Sequence, residues 1–373
     1  MHYFEFPTKD TTLYEDSGSR NTGLDEILEV RKDMNADGSV VTVSRALIKF
    51  DLTYISSSVH SGLIPSNAKY YLNLFDANSS ELNVEQTLYA YPISQSWTNG
   101  SGKHDSNPTI EDGCSWKWKD GVTGKTQWNE VSQSGGTWYS GSGYIASQSF
   151  TNEAADVRMN VTDIVNKWIG GSGYVPNEGF MLKRSGSIGN TDTSLDEGNT
   201  TRFGNFSFFS RETHTIYPPK LEVVWDDSKW NTGSLSPLTS DNLEDMVLYM
   251  RGLRPEYKEK SKVKFRVVGR ERYPERTYSS TNLYETGHNT AKYLPSGSTY
   301  YEIKDAYTED VLVPFGSGSV VSCDSTGNYF NFWLNGLQAE RFYRINYKIV
   351  SGSGTAEETI QYFDEKNSFK VTR

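Results

Sequence analysis

Cysteine and histidine are scarce in this sequence. Its 373 residues include two cysteines, Cys114 and Cys323, and five histidines. Neither residue type shows the spacing of a metal-binding motif, and two cysteines give no disulfide framework. The two cysteines fall in different predicted domains, so we expect free thiols, as in a protein made in a reducing compartment. We therefore predict no cofactor and no metal centre from these residues.

Long apolar runs and an excess of basic residues are also missing. No apolar run approaches the ~20 residues that span a bilayer. The first seven residues, MHYFEFP, resemble no signal peptide. We therefore expect synthesis in a cytoplasm, without a membrane as partner. The net charge is -10. Because proteins that bind the nucleic-acid backbone normally present a basic face, no nucleic acid is expected as partner.

No catalytic constellation stands out either. The glycine–serine stretches at 141–143 and 316–318 look like loops, not like a nucleophile placed between a strand and a helix. A pair of carboxylates could always be nominated among 47 acidic residues, but the sequence singles out none. We therefore expect a protein without enzymatic activity.

The dominant pattern in the sequence is an alternation with a period of two. Ala46, Ile48 and Phe50 alternate with other residues along 46–52, and a similar run covers 70–75. This period places successive side chains on opposite faces of a β-sheet. Leu47 makes the second face partly apolar, which predicts a sheet covered on both sides. Abundant glycine, tyrosine and phenylalanine are typical of an all-β protein.

The length predicts two domains with separate cores. We assign residues 1–225 to an N-terminal β-sandwich, 226–241 to a linker rich in Ser, Asn, Gly and Pro, and 242–373 to an immunoglobulin-like β-sandwich. One helix is predicted in the N-terminal half, at 160–169, with Thr162 as its cap. The segment between the two alternating runs is predicted to be a polar loop.

Residues 8–225 resemble the DNRLRE-type module, a jelly-roll related to an alginate-binding carbohydrate-binding family. The matching pieces are NTG at 21–23, LEV at 28–30, SRALIKFDL at 44–52, residues 64–72, the series Trp97, Trp116 and Trp128, VTDIVNKW at 161–168, NEGF at 177–180, FFSRE at 208–212 and PKLEV at 219–223. They occur in the family's order and cover about three fifths of the chain. The resemblance implies a jelly-roll β-sandwich for this half.

Members of that family are usually secreted, so the expected cytoplasmic synthesis departs from the family pattern. The whole sequence, including RERYP at 270–274 and GNYF at 327–330, also resembles virion structural proteins of contractile-tailed phages. That resemblance implies a structural component of the neck, tail, fibre attachment or capsid surface. Its partners would be other virion proteins, in a homo-oligomer or a multicopy array. The alternative is a carbohydrate-binding module of a polysaccharide-active system.

Sugar binding requires exposed aromatic rings with polar neighbours. The candidates are the aromatic residues of the loop-rich stretch 98–145: Trp116, Trp118, Trp128, Trp138 and Tyr139. The competing interpretation is that two or three of them close one end of the sandwich as core residues. Either outcome is compatible with the sequence.

Two further sets of residues are candidates for binding. Asp25 and Glu26 could contribute to a calcium site, although a solvated surface is the alternative for acidic residues there. Tyr257, Arg270 and Tyr273 are candidates for protein contacts, because tyrosine and arginine anchor interfaces. The basic stretch 262–273 is interpreted as a solvated face or a protein contact in an acidic assembly.

Overall fold

The computed structural model describes residues 1–34, 41–82, 85–121, 124–129, 135–151, 156–186, 196–198, 201–238, 243–273, 292–351 and 358–373. The described residues are mainly strands with two α-helices, so the predicted all-β sandwich class is confirmed. The chain divides into two compact units, one of residues 4–223 and one of residues 1–3 with 224–373.

The first unit contains most of strands β1 to β13 and both α-helices. The strands are β1 (His2–Glu5), β2 (Pro7–Tyr14), β3 (Ile27–Met34), β4 (Val41–Phe50), β5 (Lys69–Leu74), β6 (Gln86–Pro92), β7 (Trp118–Asp120), β8 (Thr126–Gln127), β9 (Ala146–Phe150), β10 (Val157–Asn160), β11 (Phe180–Lys183), β12 (Gly204–Phe209) and β13 (Lys220–Val224). The helices are α1 (Thr53–His60) and α2 (Thr162–Trp168).

These strands form two main sheets. One has the order β1-β13-β5-β10, and the other β12-β3-β4-β11-β6-β9 with β2 also paired to β4. Ala46, Ile48 and Phe50 of β4 are fully buried, as the alternation predicts. Leu47 is also fully buried, in a second apolar cluster with Trp97 and other residues. The sheet is therefore covered on both sides.

The helices partly follow the prediction. The predicted helix is present as α2, and it buries Ile164, Val165 and Trp168. Thr162 does not cap it, because the N-cap position is Val161 and the Thr162 hydroxyl oxygen accepts the Tyr70 N–H at 3.0 Å. Helix α1 replaces the predicted polar loop: it begins next to Asp51, which accepts the Thr53 N–H at 2.9 Å.

The second unit contains strands β14 to β24. They are β14 (Ser236–Pro237), β15 (Met246–Arg251), β16 (Glu256–Lys258), β17 (Lys262–Glu271), β18 (Lys292–Tyr293), β19 (Thr299–Asp305), β20 (Val311–Val313), β21 (Ser322–Asp324), β22 (Gly327–Trp333), β23 (Arg341–Ser351) and β24 (Thr359–Thr372). One sheet has the order β14-β18-β17-β22-β21 with β15 on β17, and the other β16-β24-β23-β19-β20.

The predicted linker is part of this second unit as far as it is described. Trp230 forms a β-bridge with Cys323, and β14 pairs in parallel with β18. Residues 239–241 lie outside the described residues. Backbone pairing holds Trp230 and β14 on the unit's own sheet, so these residues of the predicted linker belong to the second unit.

Candidate functional site

The five aromatic candidates of the first unit separate into buried and accessible residues. Trp116 and Trp128 are 6% and 1% exposed, and both belong to the apolar cluster that covers the outer side of β4. Trp138 is partly buried against the same cluster. Trp118 and Tyr139 are half-buried. Trp116 and Trp128 follow the alternative that some of these rings close the sandwich as core residues, and they offer no exposed ring to a glycan.

A buried group of charges lies beside these tryptophans. Arg45 of β4 donates to both oxygens of the Glu197 carboxylate, at 3.0 and 2.6 Å, and to the Gly135 carbonyl at 2.8 Å. Lys183 of β11 lies 3.3 Å from Glu197 Oε2. We call Arg45, Lys183 and Glu197 the buried charge cluster.

Aromatic rings enclose the buried charge cluster. The Arg45 guanidinium lies 4.8 Å from the Trp116 ring centre and 5.0 Å from that of Trp138. Lys183 Nζ lies 4.8 Å from the same Trp138 ring. A cation against a ring face is favourable, and more so where water is excluded. The tryptophan-rich stretch therefore closes over a charged interior.

Burial changes the acidity of these groups. It lowers the pKa of Lys183 to about 8, against the opposing effect of Glu197. It also lowers the pKa of the neighbouring Arg184 to about 10 and raises that of Tyr91 to about 12. The charged side chains of the cluster are at most 1% exposed, so they are out of reach of a dissolved substrate. Their arrangement supports a structural role.

An accessible group of aromatic rings lies elsewhere on the first unit. The Tyr139 and Tyr144 rings are tilted against each other, with centroids 5.8 Å apart. The Tyr144 hydroxyl donates to Gly173 O at 2.9 Å, and the next residue, Tyr174, is 62% exposed. Lys167 Nζ lies 5.2 Å from the Tyr144 ring centre. We call Tyr139, Tyr144, Tyr174 and Lys167 the tyrosine patch.

The two calcium candidates have protein partners. Both Asp25 carboxylate oxygens accept the His104 N–H, at 3.2 and 3.1 Å. Glu26 lies 3.5 Å from Lys103 Nζ and 3.7 Å from the His214 ring. Within the described residues, no three His, Cys, Asp or Glu side chains are grouped so as to hold a metal ion.

Two clefts are lined by described residues of the first unit. One, of about 690 Å³, is lined by residues that include Lys49, Asp51, Trp168 and Asn177. The other, of about 380 Å³, includes Arg184. Lys49 is already paired with Glu178 at 2.8 Å. Neither cleft brings together the nucleophile, base and oxyanion donors that an active site needs.

The second unit exposes a row of cations along β17. Phe265 and Val267 face the interior, so Lys262, Lys264, Arg266 and Arg270 fall on the outward side of the strand. The register then places residues of the neighbouring strands beside them. The pairs are Lys262 with Trp333, Lys264 with Asn331, and Arg266 with both Tyr329 and Arg251, while Tyr249 pairs with Val268.

We call this surface the basic–aromatic face; its members are Tyr249, Arg251, Lys262, Lys264, Arg266, Arg270, Tyr329 and Trp333. Lys262 Nζ lies 5.4 Å from the Trp333 ring centre, and Lys264 Nζ lies 3.7 Å from that of Tyr329. The exposed fraction of Tyr249 is 43%. Cations thus alternate with flat rings across three paired strands.

One carboxylate is bonded into the face. Asp324 accepts hydrogen bonds from Arg266 at 3.0 and 2.8 Å and from Lys264 at 2.7 Å. The Arg266 guanidinium holds the pKa of Asp324 well below its usual range, and the bond raises that of Arg266. Asp324 therefore stays ionised and fixes the two cations in place.

The three predicted contact residues lie in different surroundings. Arg270 belongs to the basic–aromatic face, and Tyr273 is 79% exposed. Tyr257 packs its ring against Phe265 and Phe369, with centroids 5.3 and 5.6 Å apart, so it contributes to the core. Sequence reasoning did not identify Arg251, Tyr249 and Trp333 as parts of one surface. The alternating cations of 262–270 were the available signal, but the partner strands could not be inferred.

Comparison with known proteins identifies no family. No protein-family model matches the chain, and no curated protein matches it. Among solved structures, the crystal structure of an FMN-binding beta-glucuronidase from Facaelibacterium prausnitzii L2-6 is similar at 10% identity with a TM-score of 0.17. The match covers 100% of this chain and 39% of that protein, so the chain spans about two fifths of its length. No helix in the described ranges is long and apolar enough to cross a membrane.

Proposed function

We propose that this chain is a non-enzymatic structural protein of a tailed phage particle, acting through contacts with other particle proteins. The neck, tail, fibre attachment and capsid surface are the positions that fit the resemblance of its sequence. The observation that carries the proposal is the basic–aromatic face of the second unit.

The composition of that face supports a protein contact. Interfaces are enriched in Tyr, Trp and Arg, and their energy concentrates in a few such anchors. Tyr249 and Trp333 offer flat apolar area, and Arg251 lies next to Arg266. A sheet face is also rigid, so little conformational entropy is lost when a partner binds.

Particle composition tests this proposal. Phage particles purified from the source on a density gradient are analysed by quantitative mass spectrometry. We expect the chain in a fixed copy number relative to the major capsid protein, resistant to washing in moderate salt. A chain found only in the soluble fraction, or at a variable ratio to the capsid protein, would refute the proposal.

Glycan binding is the second candidate function, and the tyrosine patch is the observation that favours it. Sugar faces pack on aromatic rings, and neighbouring polar groups bond the hydroxyls. Tyr174 is 62% exposed, and Lys167 lies beside Tyr144. The tyrosine patch thus offers accessible aromatic rings, whereas Trp116 and Trp128 are buried.

A glycan array probes this second function. The unmodified chain is compared with Tyr174→Ala and with Tyr307→Ala, an exposed tyrosine of the other unit that lies outside the basic–aromatic face. We expect signals that Tyr174→Ala reduces and Tyr307→Ala leaves unchanged. Equal signals from all three proteins would show that the tyrosine patch is not the binding site, and no signal from the unmodified chain would refute glycan binding.

A further inference from the structure

We propose that the basic–aromatic face docks on an acidic surface of a second copy of this chain. The inference rests on the proposed function, because it names one of the protein partners that such a function requires. The contact joins unlike surfaces of two identical chains.

Charge complementarity favours a second copy of this chain as the partner. The face carries Arg251, Lys262, Lys264, Arg266 and Arg270, with Asp324 bonded among them. The whole chain, in contrast, has a net charge of -10. The residues outside the face therefore carry a net charge more negative than -10. A second copy thus provides the opposite charge that this face requires.

Part of this positive charge has no ion-pair partner among the residues that the structure describes. Arg251, Lys262 and Arg270 form no ion pair within the ranges that the structure describes, whereas Lys264 and Arg266 share Asp324. The Arg270 guanidinium donates to the Glu271 carbonyl at 3.2 Å, which leaves its charge uncompensated. These three cations are the ones available to carboxylates of another molecule.

Aromatic rings lie between the cations of the face. Trp333 and Tyr329 hold Lys262 and Lys264 against their faces. Lysine side chains held in this way lose less freedom when a partner binds. The rings also add apolar area that an acidic partner surface can cover.

The geometry of the contact follows from its charges. Two basic–aromatic faces cannot pair with each other, because their cations would meet. The contact must therefore join different surfaces of the two copies, and such heterologous contacts close into rings or extend into filaments. Both arrangements place many copies of one chain in an assembly.

A nucleic acid is the other class of ligand that a basic–aromatic surface could attract. The net charge of -10 disfavours it, because the rest of the chain repels phosphates. We therefore argue for the second copy, and nucleic-acid binding becomes an outcome of the experiment.

The experiment measures self-association of the full chain by sedimentation velocity. Concentration series are run at about 0.1 M and about 1 M salt, between which the screening length falls from ~10 to ~3 Å. We expect association in the lower salt that is lost in the higher salt. The double variant R251E/K262E should weaken it by on the order of tenfold or more.

A matched control separates the face from net charge. K258E/K366E changes the formal charge by the same amount at two exposed lysines outside the face. It should leave the association constant within about twofold. Circular dichroism reports whether each variant folds. If R251E/K262E fails to fold, R251Q replaces it, because Arg251 is exposed and lies at the end of its strand.

Carbodiimide crosslinking then locates the contact. A mixture of ¹⁵N-labelled and unlabelled chains should yield intermolecular links from Lys262 or Lys264 to acidic residues outside the face. Three results would overturn the proposal. The chain could be a monomer in both salts, or R251E/K262E could leave its association unchanged. The third is a monomeric chain that binds single-stranded DNA, with that binding abolished in R251E/K262E.

The result can be distinguished from failure of the proposed function. A chain that is monomeric alone but present in purified particles refutes the second-copy contact and leaves the structural role intact. A chain that associates with itself but is absent from particles refutes the structural role and leaves the second-copy contact intact.

Discussion

The Arg45 guanidinium and the Glu197 carboxylate form a two-point ion pair at 3.0 and 2.6 Å, with side chains 1% and 0% exposed. The residues are 152 positions apart in the chain. Glu197 also neutralises Lys183, at 3.3 Å. This one carboxylate therefore forms ion pairs with two buried cations and connects residues 196–198 to strands β4 and β11.

Replacing Glu197 by glutamine should destabilise the first unit severely. The variant leaves Arg45 and Lys183 buried without a counter-charge, and breaking a buried ion pair in this way costs about 3–5 kcal/mol. Urea denaturation followed by tryptophan fluorescence measures the loss. The control is Glu178→Gln, whose partner Lys49 is 24% exposed, and it should cost less than about 1 kcal/mol. Equal losses for both variants would contradict a central role for Glu197.

The buried tryptophans should matter for stability. Trp128 is 1% exposed, and its indole Nε1 donates to the Ser115 carbonyl at 3.0 Å. Truncation to alanine leaves a large cavity, and we expect Trp128→Ala to lower the free energy of unfolding by about 3–5 kcal/mol. Half-buried Trp118 serves as the comparison, with an expected loss of about 1 kcal/mol for Trp118→Ala. A Trp128→Ala protein as stable as the unmodified chain would argue against the core assignment.

Asn21 should be among the most sensitive polar residues of the first unit. Its Nδ2 donates to Asn99 O at 2.7 Å and Cys114 O at 2.9 Å, and its Oδ1 accepts the Gly102 N–H at 2.9 Å. Asn21→Ala leaves these buried groups without partners, at about 1 kcal/mol or more each, so we expect a loss of about 2–4 kcal/mol.

Asn73→Ala is the comparison for this prediction. Asn73 is half-buried, and its Nδ2 donates to Glu222 at 3.3 Å. Thermal unfolding monitored by circular dichroism should show a much smaller shift for Asn73→Ala than for Asn21→Ala. If the shifts have the reverse order, Asn21 does not hold the loops together as inferred.

Asp10 should make stability depend on pH near neutrality. Burial raises the pKa of Asp10 to about 7. Two effects of Arg211 oppose this rise: its backbone N–H, which Asp10 Oδ2 accepts at 2.5 Å, and its positive charge. The nearby Glu212 carboxylate raises the pKa further. The folded state thus binds a proton that the unfolded state releases above pH 3.8. This group therefore favours the folded state less as the pH rises from about 4 to about 7.

The variant Asp10→Asn isolates this effect, because an amide keeps an oxygen that can accept the Arg211 N–H. The stability of Asp10→Asn relative to the unmodified chain should increase with pH up to about 7, by up to about 1.4 kcal/mol per pH unit, and then level off. Urea midpoints at pH 5, 6, 7 and 8 measure the difference. A constant difference across this range would show that Asp10 titrates with an ordinary pKa.

The sequence determined the local structure of this protein, because the spacing of apolar residues within a short segment specifies a strand or a helix. Alternation at 46–52 specified a strand with both faces covered, and Ala46, Ile48 and Leu47 are all fully buried. The apolar face of Ile164, Val165 and Trp168 specified helix α2. Helix α1 escaped prediction because its run of serine and threonine has little helical pattern, and it buries Ile55 and Ser58.

The tertiary structure decided which of these residues can meet a partner. Trp116, Trp128 and Trp118 lie in the same glycine-rich stretch, and nothing local distinguishes a ring that closes over Arg45 from one that remains accessible. The pairing of β17 with β15 and β22 likewise turned a charged strand into the basic–aromatic face. Burial and surface composition depend on contacts between distant segments, so they arise only when the sheets assemble.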